Sequence, residues 1–509
     1  MRHGLADVRS GFDVEADVAI VGSGPGGAVA ADNLARAGMR VVVLEAGPEL
    51  RAEDMVRDAP RFLARNFWEG GLRMVLGTAP SPSMHARCLG GGSVVNSAIM
   101  LPLPAWVRQE WRAETGVAHF DSPELDAAYA RAFARCRVSP TPTAVLGRRN
   151  RLVRAAIEGV AGERGGGLPR AVVDCEGSSD CLTGCPTGKK QSVDRTYLPA
   201  AEANGAEIYT HAEVERVLVE GTRVTGVEGT VVELPGWQRR GRFRVRAPRV
   251  LVAAGTTQTP VLLQRSGINP RGRVGATFFC HIGGGLVGIM DEVVDPWIGA
   301  TQGWGAISQE IRGLKYEGLW ASPAVLMVRW GGVGRSFVDR LDEVKHAVVI
   351  AIVYRGDVRG SVRAGRRGDP VLHLRIPEKN VAPVMRGMKT AADSLLAVGA
   401  RYVHTGLTSV MDEMRSPRDT ESLLSPRVRA SHMAMTMNHT FGSCRMTADD
   451  SGPVDPQGRV RGVEGLFVCD ASVFPSPSAV NPQATILALS DLTSRRLAEL
   501  PLDEPPAPG

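Results

Sequence analysis

Two short segments late in the chain carry side chains suited to chemistry. One reads Asn438-His439-Thr440-Phe441-Gly442-Ser443-Cys444-Arg445-Met446, the other Val480-Asn481-Pro482-Gln483-Ala484-Thr485-Ile486. An imidazole titrates near neutrality and therefore suits proton transfer, which makes His439 a candidate base, although a lone histidine is more often structural. His432, seven residues earlier, falls outside the motif, and the remaining histidines have no comparable context. The amide of Asn481 can donate to an oxygen on which charge develops. Asn481 also reads as a helix N-cap, with Pro482 at the first helical position and Ile486, Leu487 and Leu489 continuing an apolar pattern.

A third group is Cys175, Cys181 and Cys185, spaced C-x5-C-x3-C and followed by Pro186-Thr187-Gly188-Lys189-Lys190. Thiolates at this density can ligate iron or zinc, and iron–sulfur ligand runs often end in Cys-Pro. Zinc would need a fourth ligand that the sequence does not identify. Inert or paired thiols are the remaining alternative.

The elements that must position these groups begin near the N-terminus. Ala16 to Val21 is a short apolar strand running into Gly22-Ser23-Gly24-Pro25-Gly26-Gly27, then a helical pattern from Ala28 to Ala37 that Gly38 stops. Val41 to Leu44 is a second buried strand closed by Glu45, eighteen residues after Gly27. Strand, glycine turn, helix, strand and acid together make a dinucleotide-binding unit. Gly22 permits the tight turn, Gly24 lets backbone approach a pyrophosphate, and Gly27 lets the helix pack on the strand. The helix N-terminus offers N–H groups to phosphate, and Glu45 offers a carboxylate to ribose hydroxyls. Further on, Ile208 to Val227 reads as strand, turn and strand, and Arg249 to Gly255 as a buried strand. A helical stretch follows, with Pro260 suited to its first turn. Alternation in Val348 to Tyr354 and Val371 to Ile376 predicts an antiparallel sheet.

These motifs, in this order, resemble the glucose–methanol–choline (GMC) flavoprotein oxidoreductases. Arg87-Cys88-Leu89-Gly90-Gly91-Gly92-Ser93-Val94-Val95-Asn96 is similar to the first family signature, and Gly255 to Ile268 to the second. The resemblance implies an α/β fold, with a Rossmann-like FAD-binding domain and a substrate domain built on an antiparallel sheet. The FAD domain is expected at 14–110, 190–275 and 440–509, and the substrate domain at 111–189 and 276–439. It further implies that Gly91, Gly92, Ser93 and Asn96 line FAD and that Val214 lies beside the adenine. Gly255 and Asp470, in Gly465 to Ser472, would close the flavin contacts, with Pro482 and Gln483 at the helix start. Val95 stands where some members attach FAD through a histidine, so non-covalent FAD is expected. The cysteine loop is similar to that of FAD-dependent glucose dehydrogenases, which hold a three-iron (3Fe-4S) cluster. The implied activity is oxidation of a primary or secondary alcohol, with His439 as base and Asn481 as oxyanion partner. Electrons would pass to an external acceptor, or to oxygen in an oxidase. A non-oxidative lyase and a flavin electron-transfer subunit are the alternatives.

Bulk properties agree with a globular protein of two or more domains. The chain has 509 residues, 43% hydrophobic and 22% charged, with a net charge of +6. The positive charge is scattered, without the blocks that mark nucleic-acid binding. No apolar run reaches the ~20 residues needed to span a bilayer, and Met1 to Ala16 does not read as a secretory signal. A cytoplasmic location is therefore expected, export with a signal-bearing partner aside.

Overall fold

Apolar runs without alternation fit strands covered on both faces, and two such runs form the centre of a parallel sheet. The computed structural model describes residues 1–330, 332–407, 409–433, 435 and 437–506. The elements that position the site are, in chain order, β1 (Val18–Val21), α1 (Pro25–Arg36), β2 (Val41–Leu44), β3 (Val250–Val252), α2 (Gly255–Arg265), β4 (Ile282–Met290), β5 (Leu314–Leu319), β6 (Ala347–Tyr354), β7 (Leu466–Val468) and α3 (Gln483–Leu497). A six-stranded parallel sheet has the order Arg2–His3, Glu207–Tyr209, β2, β1, β3, β7. Every residue of β1 and β2 is buried.

Glycines set how closely α1 approaches this sheet. Gly22 takes φ +97°, and a Cβ on Gly27 would lie 1.9 Å from the Gly22 carbonyl oxygen. A Cβ on Gly26 would lie 1.7 Å from the carbonyl oxygen of Cys469, just beyond β7. Both positions therefore exclude any side chain.

The second six-stranded sheet is antiparallel, in the order Ala400–His404, β4, β6, β5, Trp304–Ile307, Gly165–Gly167. Directly opposed residues share a face. Gly283, Val353 and Lys315 are aligned across β4, β6 and β5, as are Gly285, Ala351 and Glu317. The opposite face carries Leu286, Ile350, Ile352 and Tyr316, which share one core with Val384, Met385 and Met388 of the helix Val381–Ala397. The bulky face is thus packed, whereas the other has Gly283, Gly285 and Ala351 at its cavity end and packs Val287, Ile289 and Val349 into a smaller cluster beyond. Val371 to Ile376 is not part of this sheet. Pro370–Arg375 lies in a separate four-stranded sheet, paired antiparallel to Arg359–Ala364 and parallel to Arg73–Gly77.

Some packing crosses the expected domain division. Arg2–His3 extends the parallel sheet from before residue 14. Trp111, Phe120, Leu125 and Tyr129 belong to the core around the parallel sheet, whereas Leu146, Leu152 and Val153 belong to the core of the antiparallel one. Arg131 seals the first contact through Asp491 on α3 (Nε to Oδ2, 3.0 Å).

Pro260 is not in the first turn of its helix. α2 begins at Gly255, because the Asp470 carboxylate takes the Gly255 N–H (2.9 Å) and the Thr259 hydroxyl (2.6 Å). Pro260 then falls inside the helix and leaves the Thr256 carbonyl without its helical donor. The Ser443 hydroxyl supplies that donor at 2.7 Å, and the Thr256 hydroxyl donates to the Thr440 carbonyl at 2.9 Å. This pair of bonds ties the His439 segment to α2.

Candidate active site

A cavity of about 880 Å³ runs from the glycine turn of the parallel sheet to the small-residue face of the antiparallel one. Gly22, Gly24, Glu45, Gly91, Gly92, Asn96, Val214, Gly255, Asp470, Pro482 and Gln483 all line it, as do His439 and Asn481. Two expected residues do not. Gly27 serves the helix–strand contact, and Ser93 is turned inward, donating to the Gly90 carbonyl (2.7 Å) and accepting from the Val193 N–H (3.2 Å).

The turn end of the cavity is shaped for a dinucleotide. Gly24 and Gly26 open α1 towards it, where first-turn N–H groups have no helical acceptor. Gly91 approaches so closely that a Cβ there would sit 2.8 Å from the Gly24 Cα. Glu45 is buried, which raises its carboxyl above the ordinary range against hydrogen bonds that lower it. Its Oε2 accepts the Ser23 N–H (3.1 Å) and hydroxyl (2.6 Å), and its Oε1 accepts the Gly47 N–H (2.8 Å). One lone pair of Oε1 is left for a ribose hydroxyl. Asp470 is more fully committed to the protein, since it also accepts the Ser472 N–H (2.8 Å). Asn96 donates to Gln483 and so joins the second glycine turn to the start of α3.

His439 is buried. Burial lowers its imidazole to about 4, the Lys315 cation adding to the effect and Glu317 opposing it. It is therefore neutral at ordinary pH and able to accept a proton. Its Nδ1 lies 3.1 Å from Nδ1 of His281, whose main-chain N–H donates to the His439 carbonyl at 3.1 Å. Sequence reasoning set His281 aside with the other histidines, and no motif marks it. His432 lies outside the cavity and accepts the Arg429 N–H.

Asn481 is not the N-cap of α3. That position falls to Pro482, and the Asn481 Oδ1 is occupied by the Lys315 ammonium. Lys315 is also paired with Glu317, which accepts from Gln302 (2.7 Å). Lys315, Glu317 and Gln302 were all missed, because nothing local in the sequence distinguishes them from surface residues.

The three cysteines line a different, small cleft of about 20 Å³, room for roughly one water. The Arg170 guanidinium occupies its side, reaching Cys181 Sγ at 3.1 Å and Cys175 Sγ at 3.9 Å. Burial acts to raise the Cys181 thiol, but Arg170 and Lys190 outweigh it and hold it below its ordinary value. Among the described residues, no group of three or more His, Cys, Asp or Glu side chains is arranged to hold a metal ion. An iron–sulfur core does not fit the space left beside the guanidinium, so the expected cluster finds no support here.

Comparison with known proteins agrees with this geometry. Two models of the GMC oxidoreductase family match residues 64–283 and 354–490, and an NAD(P)-binding Rossmann-like model matches 20–62. An uncharacterized GMC-type oxidoreductase of Mycobacterium tuberculosis is 33% identical over 93% of this chain and 74% of its own length. A long-chain-alcohol oxidase of Arabidopsis thaliana is 27% identical over 97% of this chain and 68% of its own. The crystal structure of pyridoxine 4-oxidase from Mesorbium loti superposes with a TM-score of 0.70 at 19% identity, covering 94% of this chain and 98% of that one. The chain belongs to the GMC oxidoreductases, a family of FAD-dependent enzymes.

Proposed function

We propose that this enzyme oxidises a primary or secondary alcohol to the carbonyl compound, with His439 and Asn481 handling the alcohol oxygen. One observation carries the reading: a neutral imidazole and an amide whose NH2 makes no hydrogen bond among the described residues face a cavity continuous with a dinucleotide fold. FAD, bound non-covalently, supplies the acceptor for the hydride that leaves the carbinol carbon. The residues fit it. Gly24, Gly26 and Gly91 leave room for the diphosphate, Glu45 keeps a lone pair for the ribose, and Val95 offers no atom for covalent attachment.

His439 takes the hydroxyl proton on Nε2, the nitrogen not engaged with His281. Asn481 donates to the same oxygen as the proton departs, and the loss of proton and hydride leaves a C=O. Leu319, Trp320, Ala321 and Val325 line the substrate side, which favours an alcohol with an apolar body. The relationship to a long-chain-alcohol oxidase supports the same class. An external acceptor, oxygen or a redox carrier, would take the two electrons onward.

Anaerobic mixing of the FAD-loaded protein with a graded series of alcohols tests the reading. Flavin absorbance should bleach with apolar alcohols, and His439→Ala should slow the bleaching by ~10²–10⁴-fold. A flavin that no alcohol bleaches, or a His439→Ala protein at the normal rate, sinks the proposal. Re-oxidation by air with peroxide release, against re-oxidation only by a dye, identifies the acceptor class.

A further inference from the structure

We infer that Lys315 is a positioning residue, fixing which atom of the Asn481 amide faces the substrate oxygen, with Glu317 holding the ammonium in place. The inference rests on the alcohol-oxidation reading above.

Lys315 and Glu317 are two residues apart on β5, so both project from the face that roofs the cavity. Their side chains are 1% and 2% exposed. A buried ammonium needs acceptors for its protons and a compensating charge. Asn481 Oδ1 is the acceptor and the Glu317 carboxylate, ion-paired through Oε1, is the compensating charge. Glu317 Oε2 is held in turn by Gln302 Nε2 at 2.7 Å. The chain from Gln302 to Asn481 is therefore a single polar relay laid across the small-residue face, with no net charge.

An ammonium only donates, so the amide atom facing Lys315 has to be the oxygen. That assigns the amide independently of how its two ends are placed. Nδ2 is then the end left over, it makes no hydrogen bond among the described residues, and the side chain lines the cavity. Without Lys315 the Glu317 carboxylate, which shares its ammonium with Asn481, would attract the NH2 instead. The amide would turn over and offer its oxygen to the substrate oxygen, replacing a donor with an acceptor. Lys315 thus decides the sign of the interaction that Asn481 makes.

The same cation bears on the base. The charged groups acting on His439 are Glu317, which raises its imidazole, and Lys315, which lowers it; His281 is its direct contact and is itself held low by burial, His439, Lys315 and Arg355. Removing the cation alone leaves Glu317 uncompensated and raises His439. Removing both charges restores it.

The test is a double-mutant cycle on FAD-loaded protein, read by anaerobic flavin reduction at saturating alcohol. Asn481→Ala and Lys315→Met should each lower the limiting rate by about 100-fold, and the double variant should be no slower than Asn481→Ala alone. Additive losses, or a Lys315→Met protein at the wild-type limiting rate, overturn the inference. Lys315→Met/Glu317→Gln, a neutral pair of similar volume, replaces Lys315→Met if that variant does not fold. With the ammonium gone nothing holds the amide oxygen, and the glutamine carbonyl put in place of the carboxylate still accepts from the NH2. The limiting rate of this pair should therefore remain well below wild type, and a normal rate would overturn the inference. Histidine ¹³C NMR of the substrate-free holoprotein gives a readout independent of turnover: the His439 titration should move up in Lys315→Met and return in the neutral pair. An unmoved titration in Lys315→Met counts against the inference. If His439 proves essential to reduction while the cycle is additive, Lys315 alone is wrongly placed. If no alcohol reduces the wild type, the alcohol reading has failed instead.

Discussion

The Nδ1 atoms of His281 and His439 face one another at 3.1 Å, so only one of them can carry a proton. If His439 holds it, the free lone pair is on Nε2 and His439 is a base. His281 must then keep its own proton on Nε2, a buried atom with no hydrogen-bond partner among the described residues. His281 therefore selects the working tautomer of His439 at some cost to itself. His281→Ala should slow flavin reduction by roughly 10-fold or more, since a wrong tautomer disables a base. His281→Asn, which keeps an acceptor at that place, should recover much of the rate. Equal rates in the two variants would remove His281 from the mechanism.

Buried histidines also make stability depend on pH. Burial holds His85 and His119 at about 3, and His439 at about 4. These values are depressed below the unfolded value near 6.5, so above 6.5 both states are neutral and nothing is lost. As pH falls below 6.5, the unfolded chain binds protons that the folded one refuses, and stability drops. Each histidine contributes up to about 1.4 kcal/mol per pH unit over that window. Glu45 and Asp470, raised by burial, act in the opposite sense, so a difference measurement is needed. His119 lies outside the cavity, and the wild-type and His119→Asn unfolding free energies should diverge in slope by about that amount below pH 6.5. Parallel curves would show that His119 is free to protonate in the folded state.

The bond from Ser443 to the Thr256 carbonyl replaces the one that Pro260 cannot make. Ser443→Ala should destabilise the protein by about 1–3 kcal/mol, the cost of a buried unpaired carbonyl. In a Pro260→Ala background the helix recovers its own donor, so the same Ser443→Ala change should cost less. Equal costs in both backgrounds, measured by denaturant unfolding, would show that Ser443 contributes by packing alone.

Cys181 and Cys175 are neighbours of one guanidinium rather than of a metal space. Protein purified without oxygen should therefore contain FAD but no stoichiometric iron or acid-labile sulfide. Cys175→Ser and Cys185→Ser should leave flavin reduction unchanged. About three irons per chain with matching sulfide would show that Arg170 yields its place to a cluster.

How far the site can be read from sequence follows the distance over which each contact is made. β1, the glycine turn, α1, β2 and Glu45 are joined by local geometry, and their periodicity and spacing are visible in one stretch. His439 and Asn481 were legible through their own motifs. Their partners were not. Lys315 meets Asn481 across 166 residues and His281 meets His439 across 158, contacts that exist only once the register of β4, β5 and β6 is set. The start of α2 was misjudged for the same reason, since the Asp470 that accepts the Gly255 N–H lies 215 residues away. The N-cap role of Asn481 was a sound local inference that a distant ammonium overrode.

The edge position of β7 bears on how the chain is made. β1 and β2 emerge from the ribosome early, yet the strand that completes their sheet beside β3 comes from residues 466–468, and α3 follows it. At ~5–20 residues per second, the growing chain waits on the order of a minute with the far edge of that sheet uncovered. Gly26 packs against Cys469, so the start of the helix that seats the diphosphate lacks that contact until then, while its other sides rest on β1, β2 and the helix Tyr197–Ala203. The nucleotide domain is complete only once residues 466–497 have been made. Cofactor loading thus waits on residues 466–497, and until then the unfinished sheet edge is the surface a chaperone would have to shield.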